Sequence, residues 1–258
     1  MPSLKNNIEQ YRYYFASGHY DRRYPGPNRT VVRWICTLLP ENGRILDYGC
    51  GSGRYLAPLR QRTAEYIGFD VCREALALLR QRLDTLDDDS AITLLGPEEE
   101  QVGRYCERHR RVDLALCLFG VLSHIETSRK RRRVLNMLRQ TLKPGGRLLV
   151  SVPNRRRRFH REQRRQRQPE QIRYIRDCEG QQLELGYHLY DVASLRRTLI
   201  DAGFVVERIQ AESLFPESWI ARFTAVAITD RWLCRLLPAG WGYGLLAIAR
   251  PTTHAEGG

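Results

Sequence analysis

Lysine is almost missing from this chain: only Lys5, Lys130 and Lys143 stand among 258 residues, against 39 arginines. No apolar run approaches the roughly 18 residues that span a bilayer. The longest, residues 112–122, already holds Asp113, so no membrane span is expected. The N-terminus (MPSLKNNIEQ) lacks an apolar stretch, so no secretory leader is expected. The seven cysteines are scattered, odd in number and never spaced as C-x-x-C. That argues against a disulfide framework or a metal site and fits a reduced, cytoplasmic compartment. No repeat recurs at a fixed period. What is present is apolar substance: at 42% hydrophobic and 9% aromatic residues, the chain can bury a sizeable core, which excludes a disordered tail or a miniprotein.

The formal net charge of +13 is local. Residues 129–176 hold 18 basic and two acidic side chains, so the remainder is slightly acidic. An arginine bias can reflect genome base composition, but its position speaks to partners or solubility rather than to fold.

Four regions follow. Residues 1–30 form an aromatic cap (Tyr11, Tyr13, Tyr14, Phe15, Tyr20, Tyr24), read as a short helix and an irregular loop that packs on the body or lids a substrate. Residues 31–154 alternate the two periodicities. Strands are expected at 44–48, 66–70, 91–95, 112–118 and 147–152. Helices are expected at 31–39, at 75–86, and from a Thr127 or Ser128 cap to the Pro144-Gly145-Gly146 stop. Residues 155–185 break the pattern with ten arginines by Arg176. They read as a solvated excursion of helical character, too poor in apolar residues for a core. Order resumes over 186–250, with a helix at 191–202, a strand at 204–209, an aromatic insertion at 212–240 and a last strand at 243–249. Residues 251–258 are a tail. Strands alternating with helices predict an α/β fold, a mostly parallel sheet with helices on both faces.

The sharpest local signal is Asp47-Tyr48-Gly49-Cys50-Gly51-Ser52-Gly53, between a strand and a helix. Glycines there permit a tight turn and close approach of backbone to ligand. Asp70 ends the next strand, where a carboxylate suits the two hydroxyls of a ribose. A dinucleotide loop would read G-x-G-x-x-G and face a pyrophosphate. Here the pattern is D-x-G-x-G-x-G, and an acid beside the loop suits a cationic, phosphate-free ligand.

With these residues the chain resembles the class I S-adenosylmethionine (SAM)-dependent methyltransferases, including the ubiquinone/menaquinone type. The resemblance runs from about residue 43 to 154, and more weakly to 250. Leu122-Ser123-His124-Ile125 resembles the stretch after the family's fourth strand, Leu142-Lys143-Pro144-Gly145-Gly146 the turn before the fifth, and Ser151-Val152-Pro153-Asn154 that strand's end. The resemblance implies a Rossmann-like seven-stranded sheet, mostly parallel with an antiparallel last strand. It implies one methyltransferase domain over 31–250, with a lid insertion at 155–185. It implies SAM as cofactor, held by Asp47, Tyr48, Gly49, Cys50, Gly51, Gly53, Asp70, Val71, Gly96, Leu118 and Phe119. Where the family often shows Gly-Asp-Ala, this chain has Gly96-Pro97-Glu98, so Glu98 would substitute for the adenine-binding acid.

Methyl transfer is an in-line displacement in which positioning supplies about 7–11 kcal/mol at best. A general base typically adds about 10²–10⁴-fold where the acceptor keeps its proton. His124, His188 and Tyr190 are the candidate catalytic groups. His160 is expected in solvent and Cys117 in the core, which leaves a covalent cysteine mechanism unsupported. The expected reaction is transfer to an O or N atom of a small-molecule or lipid-like acceptor, with the arginine segment overhanging its pocket. Two alternatives stand beside it. The layout also resembles wobble-uridine tRNA methyltransferases, with RNA held by residues 129–176. The other is a non-catalytic SAM-fold partner subunit. Trp219, Phe223 and Trp232 either wall an apolar pocket or cover an open end of the sheet.

Overall fold

Short apolar runs, each closed by a turn, assemble into one central sheet. The computed structural model of the protein describes residues 5–85, 91–165 and 170–252. Its strands among these are β1 Gly43–Tyr48, β2 Thr63–Phe69, β3 Ile92–Leu95, β4 Val112–Cys117, β5 Leu142–Pro153, β6 Gln171–Cys178, β7 Gln181–His188, β8 Phe204–Ser213 and β9 Gly244–Pro251. Seven of them pair in the order β3-β2-β1-β4-β5-β9-β8. Within this sheet β9 alone runs against the other six strands. This is the expected Rossmann-like sheet. Its order reverses between β1 and β4, where open parallel sheets bind ligands beyond the carboxyl ends of the strands.

Consecutive strand residues point to opposite faces, and both faces are covered. Leu46, Ala115 and Leu148 pack with Leu135, Leu138, Leu195 and Leu199 on one side. Ile45, Leu114 and Leu149 pack with Val31, Ile35, Leu76 and Leu79 on the other. The covering helices start at side-chain caps. Asn28 accepts from Thr30 N–H at 2.8 Å at the head of Arg29–Leu38, and Thr127 from Lys130 N–H at 3.2 Å at the head of Ser128–Thr141. Asp191 and Ser194 form a reciprocal capping box on Val192–Asp201. Ser128–Thr141 ends before Pro144 because Leu142 already pairs with Val112 in the sheet. The helix expected at 75–86 is Arg73–Leu83; Leu86 and tail residues 253–258 lie outside the described residues.

The arginine segment departs from expectation. Only His160–Arg165 is helical; β6 and β7 then form a separate two-stranded antiparallel ribbon. Its turn is Glu179-Gly180, both at positive φ (56° and 92°), the geometry that matches strand twist in a two-residue hairpin. The physical reason is period two. Ile172, Tyr174 and Cys178 face inward between exposed Arg173, Ile175 and Asp177. Ile172, Tyr174, Leu185 and Leu189 form a small core of their own. The 212–240 insertion folds as helices Glu217–Arg222 and Thr224–Leu236. Trp219, Phe223 and Trp232 are about half exposed, so they neither wall a closed pocket nor seal the sheet. Among the described residues, no helix is long and apolar enough to cross a membrane.

Candidate active site

Two adjoining cavities lie at one edge of the sheet, the first beyond the carboxyl ends of β1, β2 and β4 and the second beside the ends of β4, β5 and β8. The first, of about 240 Å³, is shaped by the loop after β1. Gly49 and Gly51 hold positive φ (83° and 56°). A Cβ on Gly49 would stand 2.4 Å from Val121 Cγ2, and one on Gly51 3.1 Å from the Phe15 ring. The Gly51 and Cys72 N–H groups donate to Asp70 Oδ2 and Oδ1, both at 2.8 Å. Each Asp70 oxygen keeps a further lone pair for a ligand. Burial pushes this carboxyl up to about 6 even though the backbone N–H groups favour its charged form. Asp70, Glu99 and Glu126 share the wall with one lysine, Lys130. Such a wall attracts a cation and disfavours a pyrophosphate.

Of the residues expected to hold a cofactor, Tyr48, Gly49, Gly51, Asp70, Val71, Leu118 and Phe119 line this cavity; Asp47, Cys50, Gly53, Gly96 and Glu98 do not. Asp47 sits behind the loop, where Tyr66 Oη donates to it at 2.5 Å. Burial raises it to about 7, against the Tyr66 bond and with the neighbouring Asp70 charge adding to the rise. Gly53 and Gly96 are required by packing: their Cβ atoms would meet Leu79 Cδ1 at 2.4 Å and the Asp70 carbonyl oxygen at 2.2 Å. Cys50 is buried, with its thiol raised well above the usual range by burial. Glu98 points to solvent beside Arg73, and the carboxyl in the wall is Glu99, which accepts from Tyr48 Oη at 2.8 Å.

The N-terminal helices Lys5–Ala16 and His19–Arg23 close over the loop. Asp21 accepts from Ser52 Oγ and pairs with Arg82, both at 2.6 Å. Tyr11 Oη and His124 Nε2 lie 2.6 Å apart.

Tyr11, Tyr20 and Phe119 line the first cavity and also a second, smaller one of about 40 Å³. Seven of the chain's 13 tyrosines face this second space. The arginine segment contributes Arg158 and Arg176 to its wall. Arg158 lies 4.8 Å over the Phe159 ring and 4.5 Å over that of Tyr243. Arg176 Nη1 donates to Tyr14 Oη at 2.7 Å and Tyr24 Oη at 3.1 Å. Burial raises the Tyr24 phenol, yet Arg176 and Arg23 outweigh it and hold its pKa below the usual value. Two acids share the wall, Glu212 and Glu217. Buried Arg54 donates to Glu217 at 2.8 Å and stacks 4.1 Å from the Phe119 ring.

Among the three expected catalytic groups, only His124 reaches a cavity, the first. Burial lowers its pKa to about 3, so it is neutral. His188 and Tyr190 line neither cavity. Their rings meet edge to face at 4.6 Å, and Tyr190 is fully buried in the core. Burial, then Arg131 and Arg155, lowers His188 to about 4. Cys117 is a core residue whose thiol burial pushes up to about 12. Sequence reasoning missed Glu99, Tyr24, Arg54 and Glu212. The one signal was the density of tyrosines before residue 25; nothing local marks Glu212 at the end of β8.

The comparisons with known proteins bear on the family and the fold. A family model described as a methyltransferase domain matches residues 19–209. The ubiquinone biosynthesis O-methyltransferase of Pseudomonas aeruginosa (strain UCBPP-PA14) is 30% identical over 129 residues, 50% of this chain and 52% of that one. The tRNA (carboxymethyluridine(34)-5-O)-methyltransferase of Arabidopsis thaliana is 29% identical over 114 residues, 44% of this chain and 25% of that one. The chain thus spans about half or less of the length of these two relatives. Among solved structures, the CcbJ methyltransferase from Streptomyces caelestis superposes with a TM-score of 0.65 at 15% identity, covering 88% of this chain and 90% of that one, a likeness of fold. The chain belongs to the methyltransferase-domain family and has the fold of the class I SAM-dependent methyltransferases.

Proposed function

We propose that the protein binds SAM in the first cavity and methylates an O or N atom of a small acceptor seated in the second. The observation that carries this reading is the adjacency of the two spaces, which meet at Tyr11, Tyr20 and Phe119. The residues of the first fit the donor. The cradle at Gly49 and Gly51 leaves no room for side chains, Asp70 offers two carboxylate oxygens to a ribose, and the acidic wall suits a sulfonium. When bound, SAM supplies a methyl group on a sulfonium sulfur that leaves as a neutral thioether. The chain's own residues orient and exclude water. Phe15 and Tyr20 cover the loop, Glu99 offers an acceptor for an amino group, and the Tyr11–His124 pair fastens the cap over the donor side. A neutral His124 bonded to a phenol is a positioning group in this scheme.

The second cavity supports a small acceptor because it is small and largely aromatic. The test offers labelled SAM and the full chain to pooled small metabolites and, separately, to tRNA transcripts. Label in the metabolite pool with none in the transcripts supports the reading. Label in tRNA alone, with activity that falls as salt rises, replaces it with the RNA alternative.

A further inference from the structure

The wall of the second cavity carries charges of both signs. It includes Glu212, whose residue is 6% exposed. Its Oε1 is buried without a hydrogen-bond partner among the described residues. The carboxyl is held from behind by the Ser151 hydroxyl, whose oxygen in turn accepts the Phe119 N–H at 2.7 Å. Gly244 makes room for it: a Cβ there would stand 2.3 Å from Glu212 Oε2. Glu217, Arg54 and Arg158 are its charged neighbours, and Glu217 is already bound by Arg54 and by Asn28 at 2.7 Å. Arg158 and Arg176 share this wall. Neither forms an ion pair with a carboxylate among the described residues, and Arg158 Nε is buried without a partner. An orphaned buried polar atom is costly, because it forfeits hydration and gains nothing in exchange. Two such atoms of opposite character, on residues that line one small space, are satisfied together by a single ligand that carries both a donor and an anion.

We infer that the acceptor is a small amine bearing an anionic group, with Glu212 receiving the ammonium proton and Arg158 binding the anion. This rests on the methyl-transfer reading and names its substrate class. The proton step balances by itself. One N–H bond of the ammonium breaks, an O–H bond forms on the Glu212 carboxylate, and the nitrogen keeps the electron pair it needs for attack. Burial, with Glu217 nearby, raises the Glu212 carboxyl to about 8, so the carboxylate that receives the proton prevails above that pH, in the range where an amine exchanges its own. Aromatic walls from Tyr20, Tyr24 and Phe119 face the cationic nitrogen favourably until the proton leaves.

The experiment titrates the full chain, saturated with S-adenosylhomocysteine, with β-alanine and γ-aminobutyrate, each beside its hydroxy acid and its amide. Dissociation constants are read by calorimetry or by chemical-shift titration. The amino acid of at least one length should bind about tenfold or more tighter than both counterparts. Glu212→Gln should erase the preference for amine over alcohol and keep that for acid over amide. Arg158→Met should do the reverse. A folding defect would remove both preferences together, and the wild-type comparison stands without either variant. Equal affinity for amine and alcohol, or no binding by any probe, overturns the inference. Failure of S-adenosylhomocysteine itself to bind is a separate result, and it overturns the donor reading beneath.

Discussion

The first cavity draws on the ends of β1, β2 and β4 together with residues 7–20, 99 and 121–130, whereas the second takes its wall from residues 11–24, 119–120, 152–158, 174–187, 212–217 and 243–244. The first is organised by the glycine loop after β1 and by a carboxylate, Asp70, that backbone N–H groups hold in place. The second is bulky phenols and guanidiniums that meet only when the cap, the β6–β7 ribbon and the end of β8 fold together. A donor site used in common by many methyltransferases can be written into one loop. An acceptor site that must differ between them is assembled from insertions, which vary without disturbing the sheet.

The sharpest break of that contrast comes from Asp70→Ala. It removes an acceptor of two backbone N–H bonds and of the proposed ribose contacts, each charge-assisted. Affinity for S-adenosylhomocysteine should fall on the order of 100-fold, as read by calorimetry. A change under about threefold would place the donor elsewhere. Next comes Gly49→Ala. Its Cβ would overlap Val121 at a positive φ, so denaturant unfolding should show a loss of about 1–3 kcal/mol. Tyr243→Phe, in the second cavity, keeps the ring under Arg158 and should cost no more than about 0.5 kcal/mol. Equal losses would erase the distinction between a backbone-built and a side-chain-built site.

The difference in construction also explains what was legible beforehand. The strands of the central sheet, the helices on both faces and the loop at Gly49 to Gly53 follow from local period and glycine spacing, and the fold agrees with them; the seven-stranded sheet came from the family resemblance, and β6 and β7 were not foreseen. The neighbouring roles of Asp47 and Asp70 were harder to separate, because spacing does not tell which carboxylate faces outward. Tyr66 covers Asp47, and that contact comes from the adjacent strand. Glu98 and Glu99 differ by one residue at the entry to the helix Glu100–His109, and only the turn decides which enters the cavity. The arginine segment misled because charge masked the alternation of Ile172, Tyr174 and Cys178. Glu212 carries no motif at all; it matters through Ser151, Gly244 and Arg158, none of which is near it in sequence.

Titration gives a subtler test of the first cavity. Burial holds Asp70 near 6, so donor affinity should hold steady above neutrality and weaken below about pH 6, approaching tenfold per unit, as protons compete for the carboxylate. The sign for folding is the opposite. A carboxyl held above its unfolded value of about 3.9 favours the folded state at low pH and loses that contribution as pH rises from about 4 to 6. Binding isotherms and denaturant midpoints at matched pH values separate the two. Tyr11→Phe touches both cavities, since it deletes the hydroxyl beside His124 Nε2. It should lower stability by about 1 kcal/mol and weaken the donor and the acceptor alike. The smallest effect belongs to Arg161, Arg164 and Arg165, which line neither cavity. Replacing all three by alanine should shift stability by no more than about 0.5 kcal/mol and leave small-probe affinity unchanged. A large loss of transcript binding with a reduced salt slope would instead mark them as phosphate contacts.

The central claim is that the glycine cradle and Asp70 hold a positively charged, phosphate-free nucleoside. Parallel calorimetric titrations of the full chain with SAM and with NAD at neutral pH test it most directly. The account predicts saturable one-to-one binding of SAM and no heat from NAD; tight binding of NAD with none of SAM would contradict it.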